Sequence, residues 1–173
     1  MKRDLSLWQF AGFVLSALGG TLLHFLYDWS GKNIGFAPLS SVNESTWEHM
    51  KLVFFSLFIF ALIQSCFFRE YTNFWCAKLV GIVTGLILIP ALFYTYNGAI
   101  APSPDWINIT IFFVAVASAF LVETRLLKTN RPCFSPSIAF VLISAIAVLF
   151  VLFTFFPPAL PLFQDPVTGK YGR

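Results

Sequence analysis

Five stretches of the chain run for about two dozen residues with almost no polar interruption: 7–27, 47–68, 75–96, 106–126 and 137–156. Apolar residues cover every face of each run. That pattern matches neither the one-sided stripe of a surface helix nor the alternation of an outer-membrane strand. A helix needs about 20 apolar residues to cross a hydrocarbon core, because its backbone groups must find their partners within the segment. The pattern therefore predicts an all-α integral membrane bundle of five transmembrane helices, forming one domain over 1–173. The tail, 157–173, cannot continue the fifth helix past Pro157, Pro158 and Pro161. It reads as an extended segment, with Leu160, Leu162 and Phe163 to dock it on the bundle as a lid.

Composition agrees: 58% of the 173 residues are hydrophobic and 11% are charged. A soluble domain of this size could not bury so much apolar surface, so the lipid bilayer is the expected partner. The orientation follows from Lys and Arg. With the N-terminus cytoplasmic, Lys2, Arg3, Lys78, Arg69, Arg125, Lys128 and Arg131 lie inside, and Lys32, Lys51, Lys170 and Arg173 outside. The C-terminus is then extracytoplasmic. Cys66, Cys76 and Cys133 fall on the cytoplasmic side, where thiols are expected. Trp8, Trp29, Trp47, Trp75 and Trp106 stand at helix ends, as interfacial aromatic belts do. The basic start resembles a signal peptide, but its apolar run continues through TLLHFLY, too long for a signal core, and reads as helix 1.

The polar residues gather on the outer side. Helix 1 ends with His24 and Asp28, and helix 2 opens in SVNESTWEHMKL with Glu44, Glu48, His49 and Lys51. Helix 3, kinked at Pro90, brings Tyr94 and Asn97 there. These eight residues form the candidate pocket. His24 and Glu48 should sit at similar depths on antiparallel neighbours, while His49 is turned by about 100° from Glu48. Part of the motif is helix-start chemistry, since Ser41 with Glu44 and Ser45 with Glu48 both fit a capping box. Two glutamates, a histidine and a lysine exceed that need, and ionisable groups at a bilayer are functional candidates.

His24, Asp28 and Glu48, with Glu44 or His49 beside them, could hold a divalent metal such as Zn2+ and leave a position open for water. The plainer alternative is an ion-paired plug in which Lys51 neutralises Glu48 at i, i+3. Gly81 and Gly85 form a G-x-x-x-G pattern for close helix packing, or for a homo-oligomer face. Gly12, Ser16 and Gly20 recur at the same spacing on helix 1. No P-loop, Rossmann glycines, dense basic patch or G-x-S-x-G elbow is present, so nucleic acid is not an expected partner.

The segments HFLYDWSG, SVNESTWEHMKLVFF, LILIPALFYTY and PLFQDPVTGKYG together resemble a family of small bacterial multi-pass membrane proteins of unknown function, with N-E-S-x-W-E-H-x-K-L as its most distinctive element. The resemblance implies a five-helix protein of the bacterial cytoplasmic membrane and no particular activity. The expected function is binding of a small polar solute or ion in the outer pocket. The alternative is a metal-dependent hydrolase or transferase acting on lipid headgroups at the outer leaflet.

Overall fold

A computed structural model describes residues 4–100, 104–129 and 134–172. Lys2, Arg3, Arg131, Cys133 and Arg173 lie outside the described residues. The chain is all-helical, with α1 (Leu5–Trp29), α2 (Thr46–Ser65), α3 (Phe74–Ala99), α4 (Asp105–Thr129) and α5 (Pro136–Phe155), then a short 3-10 turn (Pro161–Phe163). All five long helices are apolar enough to cross a membrane.

Local chemistry sets the helix starts. The Asp4 carboxylate accepts the Ser6 and Leu7 amides (2.9 and 3.3 Å) at the start of α1. Ser45 accepts the Glu48 amide (3.4 Å) at the start of α2. The second half of the capping box is not built, because the Ser45 amide donates to Asn43 Oδ1 and the Glu48 side chain is used elsewhere. Ser41 caps nothing; its hydroxyl donates to the Asn43 carbonyl (2.6 Å). α3 continues through Pro90 to Ala99.

α2 is the central helix. It packs against all four others and the 3-10 turn, and most of it is buried, whereas α5 keeps most of its apolar surface outward. The glycines set the closest approaches. A Cβ at Gly12 would run into the Phe60 ring, one at Gly20 into Phe112, and one at Gly81 into the Glu123 side chain. Gly81 faces α4, and Gly85 sits between Val53 of α2 and Ala115 and Ala119 of α4, so the G-x-x-x-G pattern serves close helix packing within the chain. A second copy could reach that face only by displacing α4.

One sequence expectation is corrected. Cys66 is free and exposed, but Cys76 is buried and disulfide-bonded, so it is not a thiol. Of the five tryptophans, Trp29 and Trp106 are exposed as belt residues should be, while Trp8 packs on Phe67 and Phe68, Trp47 on Phe150, and Trp75 on Phe140. All three are partly buried and still stand at the starts of their helices, each with one face against a neighbouring ring.

Candidate functional site

At the end of the bundle where α1 stops and α2 starts, the segment 30–45 folds back over the helices. Gly31 and Lys32 take left-handed conformations to turn the chain. Ser40 then inserts its hydroxyl into α1, donating to the Leu23 carbonyl (2.5 Å) and accepting the Tyr27 amide (2.8 Å). An unbroken helix would pair those two groups with each other. The insertion ties the loop to α1 directly beside His24.

Below this loop lies a sealed ion pair. Lys51 Nζ donates to Glu48 Oε2 (2.6 Å), the Ala37 carbonyl (2.9 Å) and the Thr154 hydroxyl (2.9 Å). An ammonium has three protons, and all three are used. Glu48 Oε2 also accepts the Val42 amide (3.0 Å). This is the ion-paired plug of the plainer reading, and it joins α2, α5 and the loop.

The remaining groups of the motif form a different cluster nearer the surface. Glu44 lies between two histidines, with Oε1 3.8 Å from His24 Nε2 and Oε2 3.6 Å from His49 Nε2. Its side chain is about half exposed, against roughly a quarter for each histidine. His49 Nδ1 sits 2.9 Å from the Ser45 carbonyl, which can only accept, so Nδ1 carries the proton there. The lone pair of a neutral His49 then lies on Nε2, toward Glu44. The ring of His24 is 5.7 Å from that of His49 and packs edge-on against Phe25. One potential ligand atom from each of His24, Glu44 and His49 lies within 4.8 Å of the other two.

Three of the eight expected pocket residues thus form one group of potential metal ligands among the described residues. Glu48 and Lys51 serve each other. Asp28 is exposed at the end of α1 and outside the three-ligand group. Tyr94 and Asn97 stand near the end of α3, where the Asn97 amide donates to the Phe93 carbonyl (2.8 Å).

The tail docks on the same end. Phe163 is buried against Trp47 (ring centroids 4.6 Å apart) and Phe153, and the Asn43 amide donates to the Gly172 carbonyl (2.8 Å). Asp165 closes its own turn by accepting the Val167 amide and the Thr168 hydroxyl (2.8 Å each).

The opposite end holds a second buried ion pair, which reading the sequence for topology missed. Lys78 of α3 donates to Glu123 of α4 (2.6 Å), and both are almost fully buried. The lysine Nζ lies 5.4–5.6 Å from the ring centres of Phe60, Phe74 and Phe120, a range suited to cation–π attraction. The available signal was that Lys78 and Glu123 lie inside apolar runs rather than between them.

Residues 2–173 match the model of a family described as a family of unknown function, DUF6512. No curated protein and no solved structure matches the chain.

Proposed function

Since the chain belongs to the DUF6512 family of unknown function, we propose that this multi-pass membrane protein binds a divalent transition-metal ion through His24, Glu44 and His49. The observation that carries this reading is the spacing of the cluster. At 3.6 and 3.8 Å, the two histidine–glutamate separations exceed a good hydrogen bond. They run to the two different oxygens of Glu44, and one donor atom from each of the three residues lies within 4.8 Å of the others, so small side-chain adjustments would bring them to the edge of about 3.4 Å expected around a tetrahedral ion with bonds of about 2.1 Å. Two imidazoles and a carboxylate suit zinc or a similar ion, and the exposure of Glu44 leaves a fourth position open to water.

Binding is tested on detergent-purified protein stripped of metal and titrated with zinc. The wild type is expected to take up about one ion per chain, and His24→Ala, His49→Ala and Glu44→Gln should each weaken uptake by about ten-fold or more, as loss of one of three ligands demands. Asp28→Asn should bind as the wild type does. No uptake by folded wild-type protein would overturn the reading.

A second reading follows from the open fourth position. An ion there, at headgroup depth, would activate its water against a lipid ester or phosphoryl group. Passage of the ion through a single subunit is not part of either reading, because beyond Lys51 the buried face of α2 continues with Val53, Phe54 and Leu57.

We place this end outside the cell membrane of a bacterium. Discounting the two buried lysines, the described cations favour the opposite end as cytoplasmic, with Arg69, Arg125 and Lys128 there against Lys32 and Lys170 here, whereas the disulfide-bonded Cys76 at that opposite end favours the reverse. A thiol reagent that cannot cross membranes should leave the exposed Cys66 unlabelled in intact cells and label it after permeabilisation. Labelling of intact cells would reverse the orientation.

A further inference from the structure

Gln9 of α1, Gln64 of α2, Lys78 of α3 and Glu123 of α4 are each at most 4% exposed, and the helix registers bring them to one level. On the α1–α2 contact, the Ser16 hydroxyl meets the Ser56 carbonyl (3.3 Å) and Gly12 meets Phe60. One further turn along each antiparallel helix brings Gln9 to Gln64. α2 and α4 run in the same direction, with the rings of Phe60 and Phe120 5.8 Å apart. The next turn of each carries Gln64 and Glu123. Lys78 joins the level through its bond to Glu123.

Both carboxamide atoms of Gln9, both of Gln64 and Glu123 Oε1 are buried without a hydrogen-bond partner among the described residues. Five such atoms left bare would cost a large part of a fold's net stability. As placed, none of these groups bonds to another, although each carboxamide could both donate and accept. The layer has no need of a metal or alkali cation, because Lys78 already supplies the positive charge opposite Glu123. What these atoms require is a small neutral molecule that both donates and accepts.

We propose that this layer is an internal water site, in which roughly two molecules, each making about three hydrogen bonds, link the Gln9 and Gln64 carboxamides to Glu123 Oε1. It lies between two apolar seals. Toward the bundle centre are Phe60 and Phe120 closing over Gly12, and toward the near end are Phe68, Phe74 and Leu127. The waters place an ionisable pair inside the bundle in contact with a proton-exchanging partner.

Hydroxyl-radical footprinting of the wild-type protein in detergent tests this directly, because radiolysis generates radicals from trapped water where it lies. Phe60 and Phe120 should be oxidised several-fold faster than Phe55 and Phe112, which are slightly more exposed and belong to the same core but lie away from the layer. The excess should disappear in Gln9→Leu/Gln64→Leu. Equal, slow oxidation of all four rings in the wild type would mean a dry layer and overturn the proposal, whether or not the double variant folds.

Discussion

Glu123→Leu is expected to destabilise the protein by about 3–5 kcal/mol, the usual cost of removing one partner from a buried ion pair. Lys78 would remain without its carboxylate among Phe60, Phe74 and Phe120, and three ring faces do not replace a charge-assisted hydrogen bond of 2.6 Å. Lys78→Met should cost a similar amount. The double variant Lys78→Met/Glu123→Leu should recover most of the loss, because apolar side chains of similar volume need no desolvation. Thermal unfolding of the four proteins in one detergent measures the coupling. Additive losses would show that the two side chains do not depend on each other.

Lys51→Met is the second large effect, and it acts on the site as well as on stability. Removal of the ammonium leaves Glu48 buried beside a methionine and strips partners from the Ala37 carbonyl and the Thr154 hydroxyl. A loss of about 3–5 kcal/mol is expected for the same reason as at Glu123. The loop 30–45 is held to α2 through Ala37, so it should exchange its amide hydrogens faster, and Glu44 should lose its fixed place between the histidines. Zinc affinity should therefore fall although Lys51 touches no ligand. Hydrogen exchange and zinc titration of this variant separate the two consequences. Unchanged zinc binding with a loosened loop would show that the cluster does not depend on the plug.

The fold was legible because lipid leaves the backbone few choices: a run of about 20 apolar residues must be a helix. The ends were less legible. The run over 75–96 becomes Phe74–Ala99, and that over 106–126 becomes Asp105–Thr129, because interfacial polar residues such as Asn97 and Lys128 are as compatible with helix as with loop. At the site, the depth argument correctly brought the end of α1 to the start of α2, yet it favoured Glu48 over Glu44 as a ligand. α2 begins at Thr46, so Glu44 follows the loop rather than the helical face. The loop turns it toward His24 and His49, while Lys51 claims Glu48. Ser40's insertion into α1 joins groups 13 and 17 residues apart and leaves no local pattern to read.

The two ion pairs also pose different problems while the chain is being made. Glu48 and Lys51 lie on one helix, so α2 can enter the bilayer with its charges already neutralised. Lys78 and Glu123 arrive on separate helices, 45 residues apart in the chain. Until α4 emerges from the ribosome, α3 carries an unmatched lysine near its first turn, at the end where it can still reach water. Burial of Lys78 must therefore wait for its partner, and the α3–α4 hairpin, rather than either helix alone, becomes the unit that settles into the membrane. A nascent chain stalled before Glu123 should hold α3 only loosely.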